Sequence, residues 1–412
     1  MRRFSTSCVT VALFALVFSC GAGPRVDAGG MGVSVAAPRL ATARRQLSFV
    51  TLADGRVLAV GGHDGSRALA SCELFEPATG AWQVTGALRV ARRGHAAVRL
   101  LDGRVLVVGG AQSASPGALA EAEVYEPATG LWTQVRPMAE ARHEPAVVVL
   151  PDGRVLVAGG TDADRRPLRS AELFDPATGL WSAAASSGFV RGGVRTAVLL
   201  PGGKALFASG LQAELYDAVT GRWEKAGPAG GAAGTHRVGH TVTALPDGRV
   251  LVVGGGTARA AATAEVYSPE TGEWTLVAAP ALAREHHAAV VTADGAVLVM
   301  GGEHATTGAL ASVERFDPAT GTWGTAAALE EPRGQAGAVV LVDGAVLVMG
   351  GVSAVGGLLA ASEVYAPGSC VPAVCPADAG VCGLVSDGCG GTLDCGACGG
   401  CAECRAESVP LQ

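Results

Sequence analysis

The chain has 412 residues, of which 49% are hydrophobic and 17% charged, a composition typical of a folded protein and not of a disordered one. Its formal net charge is −6 and no segment is rich in lysine and arginine. A nucleic-acid-binding protein needs a basic patch, so we expect no nucleic-acid partner.

The first 19 residues have the features of an export signal. Arg2 and Arg3 form a positive start, and residues 9–18 are apolar but too few to span a bilayer permanently. Cleavage before Cys20 resembles a bacterial lipoprotein signal and would leave this cysteine lipidated. Because Phe18 is larger than the residue usual at its position, ordinary cleavage a few residues later is the alternative. We therefore expect a lipoprotein of the outer membrane or cell surface, or a secreted protein, with residues 20–30 as a linker.

A nine-residue pattern, DGRVLVVGG at residues 102–110, occurs in seven related copies. The copies begin at Asp54, Asp102, Asp152, Gly202, Asp247, Asp294 and Asp343. Successive starts are 45 to 50 residues apart, and a nearly fixed period of this size indicates a repeat architecture.

Each copy predicts four short antiparallel strands. The four runs of the second copy are residues 95–101, 104–108, 121–125 and 132–135. Asp102-Gly103 is a hairpin turn signal between the first two runs. The second run is continuously apolar, so both of its faces must be covered. Small sheets stacked face to face around an axis meet this requirement, which predicts a β-propeller in which Gly109-Gly110 permits close approach of neighbouring sheets.

The order of apolar run, Gly-Gly, aromatic residue and tryptophan resembles kelch repeats. The aromatic residues are Phe75, Tyr125, Phe174, Tyr216, Tyr267, Phe316 and Tyr365. The tryptophans are Trp82, Trp132, Trp181, Trp223, Trp274 and Trp323. The resemblance implies an all-β, seven-bladed kelch-type propeller over residues 31–368, with four antiparallel strands per blade. It implies little about activity.

The seventh copy lacks a tryptophan strand because the chain departs from the pattern at Pro367. Counting the repeat backwards places Ser34 where the first copy has Trp82. We therefore expect residues 31–38 to supply the outer strand of the last blade and to close the ring against residues 363–366.

An arginine precedes the hairpin turn by ten residues in six copies, and Arg191 is one residue out of register in the fourth. The six are Arg44, Arg92, Arg142, Arg237, Arg284 and Arg333. Arranged around one mouth of the channel, they would hold an anionic ligand. The alternative is an architectural ion pair in each blade with the repeated glutamates, and recurrence in every blade favours it. The glutamates are Glu73, Glu123, Glu172, Glu214, Glu265, Glu314 and Glu363.

His95, His240 and His287 occupy equivalent positions seven residues before the turn, with His143 and His286 close by. Converging imidazoles would bind zinc or copper. Blades two, five and six are spread around a ring, however, so we expect no metal and no cofactor. These three histidines and the six arginines are the candidate ligand-binding residues at the channel mouth.

Copper-radical oxidases such as galactose oxidase use a propeller with kelch-like repeats and need a tyrosine crosslinked to a cysteine, a second tyrosine and two histidines. Cys72 is the only cysteine of the predicted propeller, and all four tyrosines fall at the repeated aromatic position. The pattern of that site is absent, and we identify no catalytic residue.

The last segment, residues 369–412, is rich in cysteine. Its eight cysteines are Cys370, Cys375, Cys382, Cys389, Cys395, Cys398, Cys401 and Cys404. An even number in an exported chain predicts four disulfides of undetermined pairing. The C-x2-C-x2-C-x2-C spacing of the last four would also suit iron–sulfur or zinc, but Arg405 stands where the ferredoxin pattern has proline. Part of the segment resembles a small cysteine-rich motif of secreted bacterial proteins.

Repeat proteins bind through loops on one face. The connections after the second strand are unequal here, as at residues 111–120, 161–170 and 352–361, and the fourth copy is degenerate. We expect a monomeric scaffold that contacts a protein or glycan of the cell envelope and meets the membrane only through a lipid anchor. The alternative is a carbohydrate-acting enzyme, oxidase-like, with its site at the channel mouth.

Overall fold

A computed structural model describes residues 32–112, 117–189, 197–209, 212–227, 237–256 and 263–367, and the backbone of two short strands in the C-terminal segment. The predicted signal, the linker, Cys20 and the eight C-terminal cysteines lie outside the residues whose side chains are described, as does Arg191. Among the described residues, no helix has the length and apolar character needed to cross a membrane.

The described strands from residue 33 to residue 366 form seven four-stranded antiparallel sheets, the blades, and one small hairpin. The chain begins with β1 (Val33–Ala37), which belongs to the last blade. Blade one contains β2 (Ser48–Thr51), β3 (Val57–Val60), β4 (Cys72–Glu76) and β5 (Ala81–Thr85). Blade two contains β6 (Ala96–Arg99), β7 (Val105–Val108), β8 (Ala122–Glu126) and β9 (Leu131–Gln134). Blade three contains β10 (Ala146–Val149), β11 (Val155–Ala158), β12 (Ala171–Asp175) and β13 (Leu180–Ala184).

The remaining blades repeat this order. Blade four contains β14 (Ala197–Leu199), β15 (Lys204–Ser209), β16 (Gln212–Asp217) and β17 (Arg222–Lys225). Blade five contains β18 (Thr241–Ala244), β19 (Val250–Val253), β20 (Ala264–Ser268) and β21 (Glu273–Val277). Blade six contains β22 (Ala288–Val291), β23 (Val297–Met300), the hairpin β24 (Glu303–His304) and β25 (Gly308–Ala309), then β26 (Val313–Asp317) and β27 (Thr322–Ala326). Blade seven contains β28 (Gly337–Val340), β29 (Val346–Met349) and β30 (Ser362–Ala366), completed by β1. In the C-terminal segment, β31 (Leu384–Ser386) pairs with β32 (Thr392–Asp394).

The first strands of the seven blades surround the axis, each in contact with the next, and β28 returns to β2. The second strands carry the core: all four residues of β7, for example, are buried. Each main hydrophobic cluster contains residues of two neighbouring blades. One cluster contains Val60 of blade one and Val107 of blade two, and another contains Val57 of blade one and Leu347 of blade seven, across the closure of the ring. The continuous apolar run therefore has the predicted cause, since both faces of these strands are covered by adjacent blades.

The predicted closure of the ring is confirmed. Strand β1 pairs antiparallel with β30, and Ser34 lies opposite Tyr365 as Trp82 lies opposite Phe75 in blade one. The Ser34 hydroxyl donates a hydrogen bond of 2.7 Å to the Glu363 carboxylate. The N-terminal strand thus holds the last blade, so the two ends of the propeller stabilise each other.

The tryptophans fasten each outer strand to the preceding blade. The indole Nε1 of Trp132 donates to the carbonyl of Gly86 at 3.0 Å, and that of Trp323 donates to the carbonyl of Ala278 at 2.6 Å. An indole needs a partner for its single N–H when it is buried, and the neighbouring blade provides one. The repeated tryptophan is therefore an inter-blade contact.

The Gly-Gly pairs lie where adjacent blades converge. Gly109 has φ of +63°, and a Cβ there would lie 2.5 Å from the Arg142 carbonyl oxygen of the next blade. The Gly110 N–H donates to the same carbonyl at 2.8 Å. A side chain at Gly109 would break this contact, so the pair serves the close approach predicted from sequence.

Candidate functional site

A cavity of about 520 Å³ lies at the end of the channel where the innermost strands begin. We call it the mouth cavity. Blades one, two, three, five, six and seven contribute to its lining. Its polar lining residues include Gln46, Ser48, His95, Glu144, His240, Thr241, His286, His287 and Gln335. The connections of unequal length open on this same face, because they follow the second strands, which end beside the mouth.

The repeated arginines do not line the mouth cavity, which corrects the hypothesis that they hold an anionic ligand. Arg92 is fully buried, and its guanidinium lies 2.8 Å from Glu123 while also donating to the carbonyls of Gly109 and Glu121. The equivalent pairs are Arg44–Glu73 at 2.7 Å, Arg142–Glu172 at 3.1 Å, Arg237–Glu265 at 2.6 Å, Arg284–Glu314 at 2.6 Å, and Arg333–Glu363.

These glutamates also accept hydrogen bonds from the loop that enters the blade. The Arg89 N–H donates to Glu123 at 2.8 Å, and the Ala139 N–H donates to Glu172 at 2.7 Å. Each arginine is therefore bound by the second and third strands of its own blade. All six repeated arginines therefore match the architectural interpretation, in which the arginine of a blade forms an ion pair with the repeated glutamate of the same blade.

The three predicted histidines do line the mouth cavity. His240 Nε2 lies 3.0 Å from the carbonyl of Ala208 in blade four, and His287 Nε2 lies 2.8 Å from the hydroxyl of Thr241 in blade five. Burial, with a smaller effect of nearby Arg284, lowers the pKa of His287 well below its ordinary value, so this ring is neutral at pH 7. His240 and His287 thus link neighbouring blades at the cavity wall.

The sequence interpretation missed a second set of residues at the mouth. The residue two positions after each repeated arginine, which we call the mouth position, has a left-handed backbone. Its φ values are +53° at Gln46, +59° at Gly94, +53° at Glu144, +71° at Gly239, +51° at His286 and +54° at Gln335. Four of the six described mouth positions therefore carry a side chain in a backbone conformation that favours glycine.

Hydrogen bonds between blades explain the left-handed backbone. The Glu144 N–H donates to the Gly94 carbonyl at 2.8 Å, and the Gly94 N–H donates to the Gln46 carbonyl at 3.0 Å. The same bonds connect His286 to Gly239 at 2.7 Å and Gln335 to His286 at 2.9 Å. Glycine supports this geometry at no steric cost, whereas any other residue costs about 1–2 kcal/mol.

The four side chains at the mouth position are all polar, and all four line the mouth cavity. Since the ring forms equally well with Gly94 or Gly239, the architecture does not require these side chains. Backbone strain of this kind concentrates where side chains have a functional task. The alternation of glycine with polar residues at this position is the sequence signal that could have revealed them.

Charge is distributed unevenly around the mouth. The residue that follows the repeated arginine is Arg45 in blade one, Arg93 in blade two and Glu285 in blade six. Burial, with the added repulsion of Arg93 and Arg45, lowers the pKa of His63. Arg93 also donates to the Gln46 side-chain oxygen at 2.8 Å, which orients that amide. The mouth thus has a basic side in blades one and two and an acidic side in blade six.

The described residues do not fit a copper-radical site. Cys72 is fully buried in the core between blades one and two, and burial raises the pKa of its thiol to about 11. The four tyrosines are buried in third strands, and three of them pack against a tryptophan with ring centroids 5.0–5.1 Å apart. Neither Cys72 nor any tyrosine lines the mouth cavity.

The blades and the mouth cavity define a seven-bladed repeat propeller, and comparison with known proteins supplies its family. The Kelch motif matches residues 44–86, 92–139, 142–188, 236–280 and 286–327, which together make up more than half of the chain. The chain therefore belongs to the kelch-repeat family. The matched segments do not include residues 197–225 of blade four, the copy that departs most from the pattern.

Among solved structures, 1066 chains match this fold. One is a fungal alcohol oxidase with catalytic diversity among the AA5 family, solved in complex with copper. It has 19% sequence identity and a TM-score of 0.67, over 82% of this chain and 76% of the oxidase chain. A likeness at this identity shows the fold alone. No curated protein matched the sequence.

Proposed function

We propose that this kelch propeller is an exported binding protein that holds the end of a glycan in the mouth cavity. The observation that carries the proposal is the set of four polar side chains at the mouth position, each kept in a strained backbone that glycine would relieve. Their shared property is the capacity to form hydrogen bonds at the floor of one cavity.

The shape and chemistry of the cavity favour a glycan over a protein surface. A volume of about 520 Å³ is within the usual range for small-ligand sites, whereas protein surfaces meet over broader and flatter areas. The amides of Gln46 and Gln335 both donate and accept hydrogen bonds, as sugar hydroxyls do, and Glu144 accepts them. Phe49 also lines the cavity and offers an apolar face. These groups match a ligand rich in hydroxyl groups.

The location is a proposal that rests on the sequence alone. Residues 1–19 have the character of an export signal, and Cys20 would carry the lipid that retains the protein at the cell surface. The cysteine-rich segment after Pro367 would then be oxidised, as expected outside the cytoplasm. Mass spectrometry of the mature N-terminus decides between a lipidated Cys20 and an unmodified secreted chain.

The alternative is a carbohydrate-acting enzyme with its site in the same cavity. Its support is the fold shared with the fungal alcohol oxidase, which extends over most of both chains. The burial of Cys72 and of the tyrosines removes the residues that an oxidase of the copper-radical type would need. Binding without turnover is therefore the function that the geometry supports best.

A printed glycan array tests the proposal. The mature protein should bind a defined subset of glycans, and Glu144→Gln should weaken that binding about tenfold, because a hydrogen bond to a charged group contributes about 1.5–3 kcal/mol. Glutamine already has this backbone conformation at Gln46 and Gln335, so the variant should fold normally. Glu270→Gln, in the exposed turn of blade five, is the matched control. Loss of the substrate glycan with appearance of a product would establish the enzyme instead.

A further inference from the structure

Two glutamates face each other across a β-bridge on the acidic side of the mouth. The Glu285 N–H donates to the Glu303 carbonyl at 3.0 Å, and the Glu303 N–H donates to the Glu285 carbonyl at 2.7 Å. The bridges at this place in other described blades are Arg45–His63, Arg93–Ala111, His143–Thr161 and Gly334–Val352. Blade six is thus the described blade that sets two acidic side chains directly opposite each other, a pairing that is destabilising by itself.

His286 completes a group of three ligand atoms. One atom each of Glu285, His286 and Glu303 lies within 4.8 Å of the other two, and all three residues are half-buried. His286 Nδ1 is shielded from solvent and makes no hydrogen bond, although it lies 3.9 Å from Glu303 Oε2. A shielded nitrogen without a hydrogen-bond partner, beside two carboxylates, is an arrangement that a bound cation would satisfy.

The surroundings position Glu303 in this group. Gln335 donates to Glu303 Oε1 at 3.1 Å. Gly334 makes room for the same side chain, because a Cβ there would lie 2.4 Å from Glu303 Cγ. The neighbouring guanidinium groups do not neutralise these acids, since Arg284 binds Glu314 and Arg333 binds Glu363.

We propose that Glu285, His286 and Glu303 bind one divalent cation of the zinc class. One imidazole nitrogen and two carboxylates form a mixed nitrogen and oxygen ligand set, which suits zinc better than magnesium or calcium. In a tetrahedral site, zinc bonds of about 2.0–2.2 Å place neighbouring ligand atoms about 3.4 Å apart. Ligand atoms that lie within 4.8 Å of one another therefore need to approach by about 1.4 Å at most. The cation would neutralise the two acids.

The site adjoins the mouth cavity because His286 also lines it, which leaves a ligand position of the cation free to face the cavity. The three ligands are two glutamates and one histidine, and they include neither a tyrosine nor a cysteine, which a copper-radical site needs. The inference stands on the bridge and on the ligand geometry and does not depend on glycan binding. Either proposal can therefore fail without the other.

Isothermal titration with zinc chloride tests the site, using untagged, oxidatively folded mature protein that has first been treated with a chelator. We expect one zinc ion with a dissociation constant in the micromolar range or below, and weaker binding of magnesium. His286→Gln and Glu303→Gln should each weaken zinc binding at least tenfold. Glutamine has the left-handed backbone at Gln46 and Gln335, so His286→Gln preserves the local fold.

Two further variants separate cation binding from folding. Gly334→Ala displaces the Glu303 side chain without altering a ligand and should also weaken zinc binding. Glu270→Gln removes an exposed carboxylate of blade five and should leave zinc binding unchanged. Without zinc, Glu303→Gln should unfold at the same temperature as the wild type or higher, because it removes the repulsion with Glu285. Absence of zinc binding by the wild type, or equal binding by His286→Gln and Glu303→Gln, would overturn the proposal.

Discussion

Replacing Glu144 by glycine separates the architecture of the mouth from its function. Glu144 has φ of +53°, and its N–H donates to the Gly94 carbonyl at 2.8 Å. Glycine keeps this hydrogen bond and occupies the equivalent position in blades two and five. The substitution therefore removes the side chain and leaves the ring of backbone bonds intact.

The expected change in stability combines two opposing backbone contributions with the loss of the interaction that the Glu144 side chain makes. Replacing a non-glycine residue in a left-handed backbone by glycine removes a strain of about 1–2 kcal/mol and so stabilises the folded state. The greater conformational freedom of glycine in the unfolded chain lowers the free energy of unfolding by about 0.5–1 kcal/mol. The loss of the polar interaction that the half-buried Glu144 side chain makes costs at most about 1 kcal/mol. We therefore expect the free energy of unfolding to change by less than about 1 kcal/mol in either direction. A side chain with an architectural role would lower it by more.

Urea unfolding followed by tryptophan fluorescence measures this change, provided that the slope with denaturant is the same in both proteins. The converse variant, Gly94→Ala, is the control. Its Cβ would lie 2.2 Å from His143 Nε2 in a left-handed backbone, so it should lose at least about 2 kcal/mol. A loss above about 2 kcal/mol in Glu144→Gly would refute the reasoning, because the Glu144 side chain would then be part of the architecture.

Three further predictions follow from buried contacts. Arg92→Met leaves Glu123 buried without its partner and should cost about 3–5 kcal/mol in urea unfolding, whereas Arg104→Met, in a partly exposed pair, should cost at most about 1 kcal/mol. Equal losses in the two variants would contradict the architectural role of the buried pair. The buried thiol of Cys72 has a pKa of about 11, so it should resist iodoacetamide at pH 8 until the protein unfolds. Peptide mass spectrometry measures the alkylation. Rapid alkylation of the native protein would be inconsistent with the burial of this thiol. Deleting residues up to 37 removes the closing strand and should lower the melting temperature by at least about 5 °C; an unchanged temperature would show that the strand does not stabilise the ring.

The fold was predictable because its determinants recur at every blade. The hairpin turn at Asp102-Gly103 and the Gly-Gly pair that follows it are local signals, and seven copies of a local signal define the ring. The position of Ser34 opposite Tyr365 was predictable for the same reason, since counting residues within a repeat is enough to find the missing strand. The repeated arginine and glutamate could be paired from sequence because six of the seven copies carry one of each at fixed positions.

The mouth residues were not predictable because they depend on differences between blades. Gln46 and Glu144 look like ordinary loop residues until the backbone shows that both occupy a position where glycine is favoured. Glu285 and Glu303 are 18 residues apart, and their meeting depends on a bridge beyond the end of the second strand. Periodicity reveals what the blades share, whereas a site arises where they diverge.

The central claim is that the side chains at the mouth position bind a glycan and are not required by the architecture of the propeller. Fluorescence on a printed glycan array, with wild type, Glu144→Gly and Gln46→Gly at equal concentration, tests it most directly. We predict a defined set of bound glycans for the wild type and at least tenfold weaker signals for both variants, although both remain folded. No bound glycan for the wild type, or equal signals for all three proteins, would contradict the claim.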